Sequence, residues 1–202
     1  MKRSCTLLFC LAISVFTKAQ VNKSDKLFGG SLNGRFTTGQ NNSDENGSSV
    51  LGFAPSFGWA IKKNLVMGLK GTIGYNRSKN NNNGNEIRSY SIGLSPGVFL
   101  THFQQLKNQF GITLTHDVFV GYAHSETRSG SVKTTSDSRS AGYSFSPGVY
   151  YRFSDHFFGQ ASFGSAFVNW SGAAGANNIN AGVSFLQSFQ LGINYRIGKK
   201  VG

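Results

Sequence analysis

Residues Phe189–Ile197 alternate without a break. Phe189, Leu191, Ile193, Tyr195 and Ile197 are apolar, and Gln190, Gly192, Asn194 and Arg196 between them are polar or tiny. A period of two describes a strand with one greasy face and one wet face. No apolar run in the chain reaches the ~18–20 residues that a membrane-crossing helix requires. If the greasy faces meet lipid, one architecture remains. Hydrocarbon satisfies no unpaired backbone group, so a sheet there must close on itself.

The same alternation recurs along the chain and predicts eight strands. The first covers about Lys26–Thr38. The second, Val50–Ile61, puts Leu51, Phe53, Pro55, Phe57 and Trp59 on one face, and Lys62-Lys63-Asn64 turns it into the third. That strand presents Leu65, Met67, Leu69, Ile73 and Tyr75. The fourth presents Tyr90, Ile92, Leu94, Pro96, Val98 and Leu100, with a turn over about Thr101–Asn108. The fifth carries Phe110, Ile112, Leu114, His116, Val118, Val120 and Tyr122. The sixth carries Tyr143, Phe145, Pro147, Val149, Tyr151 and Phe153 and closes at Ser154-Asp155-His156. In the seventh, Phe157–Trp170, alternation is least clear, and Ala161, Phe163 and Phe167 are expected outward. Four polar stretches, Gly39–Ser49, Asn76–Glu86, Ser125–Ser138 and Ser171–Asn178, are expected as long loops.

The three prolines define an internal repeat. Pro96 and Pro147 stand in nearly the same words, SPGVFL and SPGVYY, with Pro55 in the looser APSFGW. All three fall on the apolar face of an even-numbered strand, at the same distance from its short turn. Proline cannot donate to a ladder, so an edge or a bulge is expected at each.

Met1–Ala19 has the anatomy of an export signal. Lys2 and Arg3 precede the mostly apolar run Thr6–Phe16, and Thr17-Lys18-Ala19 offers a cleavage site after Ala19. Cys5 and Cys10 both lie in that segment, so the mature chain, residues 20–202, is a cysteine-free single domain. The formal charge of +12 falls to about +9 without Lys2, Arg3 and Lys18. Export argues against nucleic acid as the counter-charge; anionic lipid headgroups or lipopolysaccharide suit it better, and an incidental surplus is the plainest reading.

Residues Gln190–Ile197 resemble the C-terminal β-signal of bacterial outer-membrane barrels, with Gln190, Gly192, Tyr195 and Ile197 at its pattern positions. In that family the signal usually ends the chain, whereas here Lys199–Gly202 follow Gly198. With the hairpin repeat, this makes nearly the whole mature chain similar to the small eight-stranded outer-membrane barrels of the OmpA/OmpX-like type. The resemblance implies an all-β, antiparallel, up-and-down transmembrane β-barrel in the outer membrane of a Gram-negative bacterium. Its expected partners are the lipid bilayer, lipopolysaccharide and the barrel assembly machinery, and its expected state is a monomer. Short turns and both termini then face the periplasm. Tyr75, Tyr90, Tyr122 and Tyr143 fall at the upper interface, and Trp59, Tyr151 and Tyr195 at the lower one.

The lumen-facing positions are mostly small or polar, with charges at Arg35, Lys70, Asp117, Arg152 and Arg196. An eight-stranded barrel is just wide enough for side chains to fill, so a packed polar plug is expected, with Asp117 answering one or more of the bases. The alternative is a narrow, porin-like channel for small polar solutes. An enzyme that modifies lipid A is a third possibility, with His124-Ser125-Glu126 at a suitable height. Adjacent residues on a strand face opposite ways, however, and the His-x-Ser spacing of such enzymes is absent. His102 and His156 fall at turns, and His116 faces lipid. No catalytic, cofactor or metal site is expected. N-terminal sequencing of the membrane-derived protein should begin Gln20-Val21-Asn22; a chain beginning at Cys10 would instead indicate lipoprotein processing.

Overall fold

The computed structural model describes residues 21–41, 44–82, 85–173 and 176–198. The expected signal segment 1–19 lies outside the described residues. Eight strands run β1 (Lys26–Asn41), β2 (Asp44–Lys62), β3 (Leu65–Asn82), β4 (Asn85–Lys107), β5 (Phe110–Ser129), β6 (Val132–Arg152), β7 (Phe157–Ala173) and β8 (Ala176–Ile197). Each pairs antiparallel with the next, and β8 returns to β1 to close the ring. The apolar alternation faces outward: Leu32, Leu69, Ile92, Val118 and Ile193 are each more than half exposed. A water-soluble protein leaves few such side chains uncovered. Leaving each in water forgoes roughly 1.5–3 kcal/mol of transfer energy, so this outer wall calls for an apolar solvent.

The expected long loops are strand. Pairing continues to Asn41↔Asp44, Asn82↔Asn85, Ser129↔Val132 and Ala173↔Ala176, so each upper connection is only two residues long. Polar composition misled here because it reports solvation, not backbone conformation. Above the membrane a hairpin needs no greasy face, and ladder hydrogen bonds alone hold the extension. At the β5–β6 tip Gly130 takes φ +57°, which suits a tight hairpin. The expected turn Thr101–Asn108 is also mostly strand. β4 runs through Lys107, and the Gln105 amide donates to the carbonyls of Lys107 and Asn108 at 3.1 and 2.9 Å.

The prolines act alike. β2 pairs with β1 through Pro55, but its pairing with β3 skips from Phe53 to Ser56. β4 pairs with β3 through Pro96 and skips from Leu94 to Gly97 against β5. β6 pairs with β5 through Pro147, and against β7 its register shifts between Phe145 and Gly148. In each hairpin unit the missing N–H faces the following strand, and the ladder opens there.

That last irregularity reverses the parity of β7. Phe163 is exposed as expected, but beyond the bulge Val168 and Trp170 are the exposed residues. Phe167 pairs with Ser144 and Gly182 and stands on the lumenal face, correcting the outward placement expected for it. One extra residue flips every later side chain of a strand.

The closing seam is the shortest in the ring, pairing Lys26–Gly34 with Phe189–Ile197 among the described residues. Side chains reinforce it. Gln190 Nε2 donates to Ser31 Oγ, and Arg196, 2% exposed, faces the buried Asp25 carboxylate at 3.6 Å. Gly198 leaves room for that carboxylate; a Cβ there would strike Asp25 Oδ1. Asp25→Ala should lower the temperature at which the folded gel band converts to the unfolded one, by about 3–5 kcal/mol of stability. Lys23→Ala, at an exposed position close by, should leave it unchanged.

Candidate functional site

The barrel's lower end is packed with side chains. The segment Val21–Asp25 folds beneath the ring and is tied to the β2–β3 turn. Asn64 N–H donates to the Val21 carbonyl at 2.9 Å, Ser24 N–H to Ala60 at 2.9 Å, and Ala60 N–H to Asp25 at 2.8 Å. Val21 is fully buried in a cluster with Leu27, Ala60, Val66, Phe103, Tyr150 and Phe158. Phe103 meets Tyr150 and Phe158 edge-on, each at 5.6 Å between centroids, a packing that aromatic quadrupoles favour. Gly111 lies beneath the Tyr150 ring, which would collide with any Cβ there. The lumen therefore differs along its length from the mostly small or polar filling expected from sequence. Its floor is apolar, and only the space above it is polar. A signal for this was present: Leu27-Phe28, Tyr150-Tyr151 and Phe157-Phe158 are apolar on both faces, which alternation alone does not explain.

Above the floor, Lys70 Nζ and Asp117 Oδ1 stand 2.7 Å apart, and Ser144 Oγ approaches Asp117 at 3.4 Å. Cavities lie on both sides of this pair. The lower is lined by Phe99, Thr101, Thr115, Gln160 and Asn194. The upper is lined by Asn33, Thr72, Ser144 and Ser165. Both touch Lys70, Asp117, Ser146, Ser162 and Gln190. The other expected lumen charges are not gathered here. Arg196 belongs to the floor with Asp25. Arg152 sits at the lower rim and donates to the Asn108 carbonyl across the neighbouring turn at 2.9 Å. The side chain of Arg35 lies outside the described residues.

On the outer wall, Phe28, Phe57 and Trp59 form a row with centroids 4.7 and 6.0 Å apart. Tyr151 contacts Phe153, and its hydroxyl bonds Gln109 at 2.7 Å. Tyr195 packs between Phe157 and His156 at 4.9 and 5.8 Å, and Ile197 is exposed beyond it. These residues make a lower belt. Met67, paired with Trp59, stands eight residues below Tyr75 on β3. At ~3.3 Å per residue and a ~40° tilt, that covers ~20 Å, most of the ~25 Å apolar band of such barrels. Tyr75, Tyr90 and Tyr122 mark its upper edge, joined by Trp170, which the sequence pattern missed because of the bulge. Tyr143 does not join them. Arg139 lies opposite Tyr122, and Tyr143 is four residues further down β6, with its hydroxyl 2.7 Å from His116 Nδ1. A phenol inside the apolar band finds its polar partner on the wall itself.

Beyond the upper edge the outer face is charged. Glu86 meets Lys79 and Arg88, and Glu126 meets Arg128 and Lys133. Hydrogen bonds from Lys133 and Arg128 hold the Glu126 carboxyl below its usual range, and the bond from Arg88 does the same for Glu86. Asp137 is lowered by bonds from His124, 2.7 Å away, and from Tyr122. His124 is thus turned toward Asp137, while Ser125 pairs with Ser91 and Ser136 on the opposite face. Among the described residues no group of three or more His, Cys, Asp or Glu is placed to hold a metal ion.

A closed ring with an apolar outer wall, two aromatic belts and a polar upper lumen defines a transmembrane β-barrel. Residues 5–199 match the outer membrane protein beta-barrel domain, and the chain belongs to that family. No curated protein matches the sequence. Solved barrels of similar fold include OprG of Pseudomonas aeruginosa, at 12% identity over 90% of this chain and 100% of that one, with a TM-score of 0.43. The N-terminal β-barrel domain of P. aeruginosa OprF matches at 7% identity over 87% and 98%, with a TM-score of 0.42. Ail, the attachment invasion locus protein of Yersinia pestis, matches at 12% over 87% and 99%, with a TM-score of 0.39.

Lys70→Met should destabilise the barrel by about 3–5 kcal/mol in denaturant unfolding from detergent, because it strands a buried carboxylate. Adding Asp117→Leu should restore most of the loss, since the pair is then replaced by apolar volume.

Proposed function

We propose that this outer-membrane barrel is closed to solutes and acts through its exposed end and outer wall, in surface interaction and envelope integrity. The observation that supports this is the packed floor, where Val21 and the Phe103–Tyr150–Phe158 cluster are buried together beneath the Lys70–Asp117 pair. On this reading the protein has no enzymatic activity. Residues 1–19 are removed on export, and residues 20–202 fold as one monomeric domain. Val21 and Gly198 lie at the same end of the ring, which supports placing both termini in the periplasm. The exposed outer face of Tyr195 and Ile197, with Gln190 and Gly192 at the closing seam, suits a strand presented to the assembly machinery. Lipopolysaccharide is the outer-leaflet partner, met by the charged wall above the tyrosines.

A narrow channel is the second reading, favoured by the polar cavities on both sides of Lys70–Asp117. Planar-bilayer recording separates the two. The purified protein should give no discrete conductance steps, and steps of constant size from the wild type would establish the channel instead. A deletion strain should become sensitive to detergents, and the wild-type gene should restore resistance. A variant whose β5–β6 hairpin is shortened above the Tyr122–Arg139 pair should fold yet fail to restore it.

A further inference from the structure

Among the described residues, the charged wall above the upper aromatic belt carries more bases than acids. Each of its described carboxylates is engaged: Glu86 with Lys79 and Arg88, Glu126 with Arg128 and Lys133, and Asp137 with His124. Two exposed arginines, Arg77 and Arg139, have no carboxylate partner among the described residues. Both occupy the outward register. Arg77 lies two positions beyond Tyr75 on β3, and Arg139 is directly opposite Tyr122 across the β5–β6 ladder.

Their surroundings fit a headgroup ligand. The Arg77 guanidinium carbon lies 5.8 Å from the Tyr90 ring centroid, so the cation is laid against the wall with its edges left to donate outward. Arg139 stands beside Tyr122, whose hydroxyl is already bonded to Asp137. Tyrosines at this height mark where hydrocarbon gives way to headgroups, so each guanidinium sits where the anionic groups of outer-leaflet lipid begin. A guanidinium offers a planar fork of donors that matches a phosphate at two oxygens.

We infer that Arg77 and Arg139 are two separate phosphate-binding positions on the outer wall, each taking a phosphate of lipid A from the surrounding leaflet. The assignment rests on the reading of this protein as an outer-membrane barrel whose exposed wall meets lipopolysaccharide. The occupant is a lipid phosphate because both side chains point away from the barrel at the belt, and neither lies at the hairpin tips where a soluble partner docks first. Bound lipid A would then tie the barrel into the leaflet at two points on its circumference.

The test uses the mature barrel in phosphatidylcholine vesicles containing either bisphosphorylated or fully dephosphorylated lipid A. Lipid A retained per barrel is measured after gentle detergent extraction. Wild type should retain the bisphosphorylated lipid and little of the dephosphorylated one. Arg77→Glu/Arg139→Glu should retain it about tenfold less or worse, having lost two charge-assisted contacts. Arg77→Gln/Arg139→Gln should fall in between, and Lys62→Glu, a charge reversal of the same kind at a lower turn, should match wild type. Gel mobility with and without boiling confirms that each variant is folded. Equal retention by the double variants, equal retention of dephosphorylated lipid, or an equal loss in Lys62→Glu would overturn the assignment. So would capture of a soluble sulfated polysaccharide that depends on both arginines while lipid A retention does not. Conductance of the same preparations tests the closed lumen separately, so either conclusion can fail without the other.

Discussion

Every backbone N–H and C=O in the membrane-spanning part of this chain must find a partner within the protein, because hydrocarbon supplies none. Seven of the eight ladders arise between strands that are neighbours in sequence, and a hairpin brings those together at little cost in loop entropy. The eighth joins β1 to β8 across almost the full chain, and it is the shortest. Its side chains are correspondingly committed. Asp25, Arg196, Ser31 and Gln190 work across the join, and Gly198 is bare so that Asp25 can lie against it. The strand whose end resembles an assembly signal is thus also the one on which closure depends.

Closure creates an interior, and eight strands leave a narrow one. The chain fills it in two ways. Near the lower end, aromatic and aliphatic groups pack as they would in a soluble core, with the segment before β1 folded in as part of the floor. Further up, hydroxyls and amides surround one ion pair. An apolar plug excludes water, whereas a polar region holds buried charge only while the charge is matched. Lys70 and Asp117 therefore depend on each other, as Arg196 and Asp25 do at the floor, in a way that the apolar residues do not.

Much of this was legible in the residues. Alternation gave the number of strands and the outward face, because a period of two maps directly onto the two sides of a closed sheet. The repeated prolines marked where three ladders open. The upper extensions were missed because Asn, Ser and Gly report contact with water, and a hairpin beyond the membrane satisfies that requirement as well as a loop does. Phe167 and Trp170 were misassigned or missed because a single inserted residue in β7 reverses everything after it. The apolar floor was hidden in plain pairs such as Tyr150-Tyr151, where one ring faces lipid and the other the lumen.

The sequence by itself determined that this chain closes into a barrel if its greasy faces meet lipid, since a sheet has no other way to satisfy its backbone there, and the resemblance of Gln190–Ile197 and the hairpin repeat pointed to the outer membrane. The tertiary structure alone decided what the barrel encloses and what it leaves free. Which base answers Asp117, which rings pack at the lower end, and which charges meet above the belt all depend on register between strands distant in sequence. Register is set by bulges, turns and the packing of the interior, and none of these is written in a period of two.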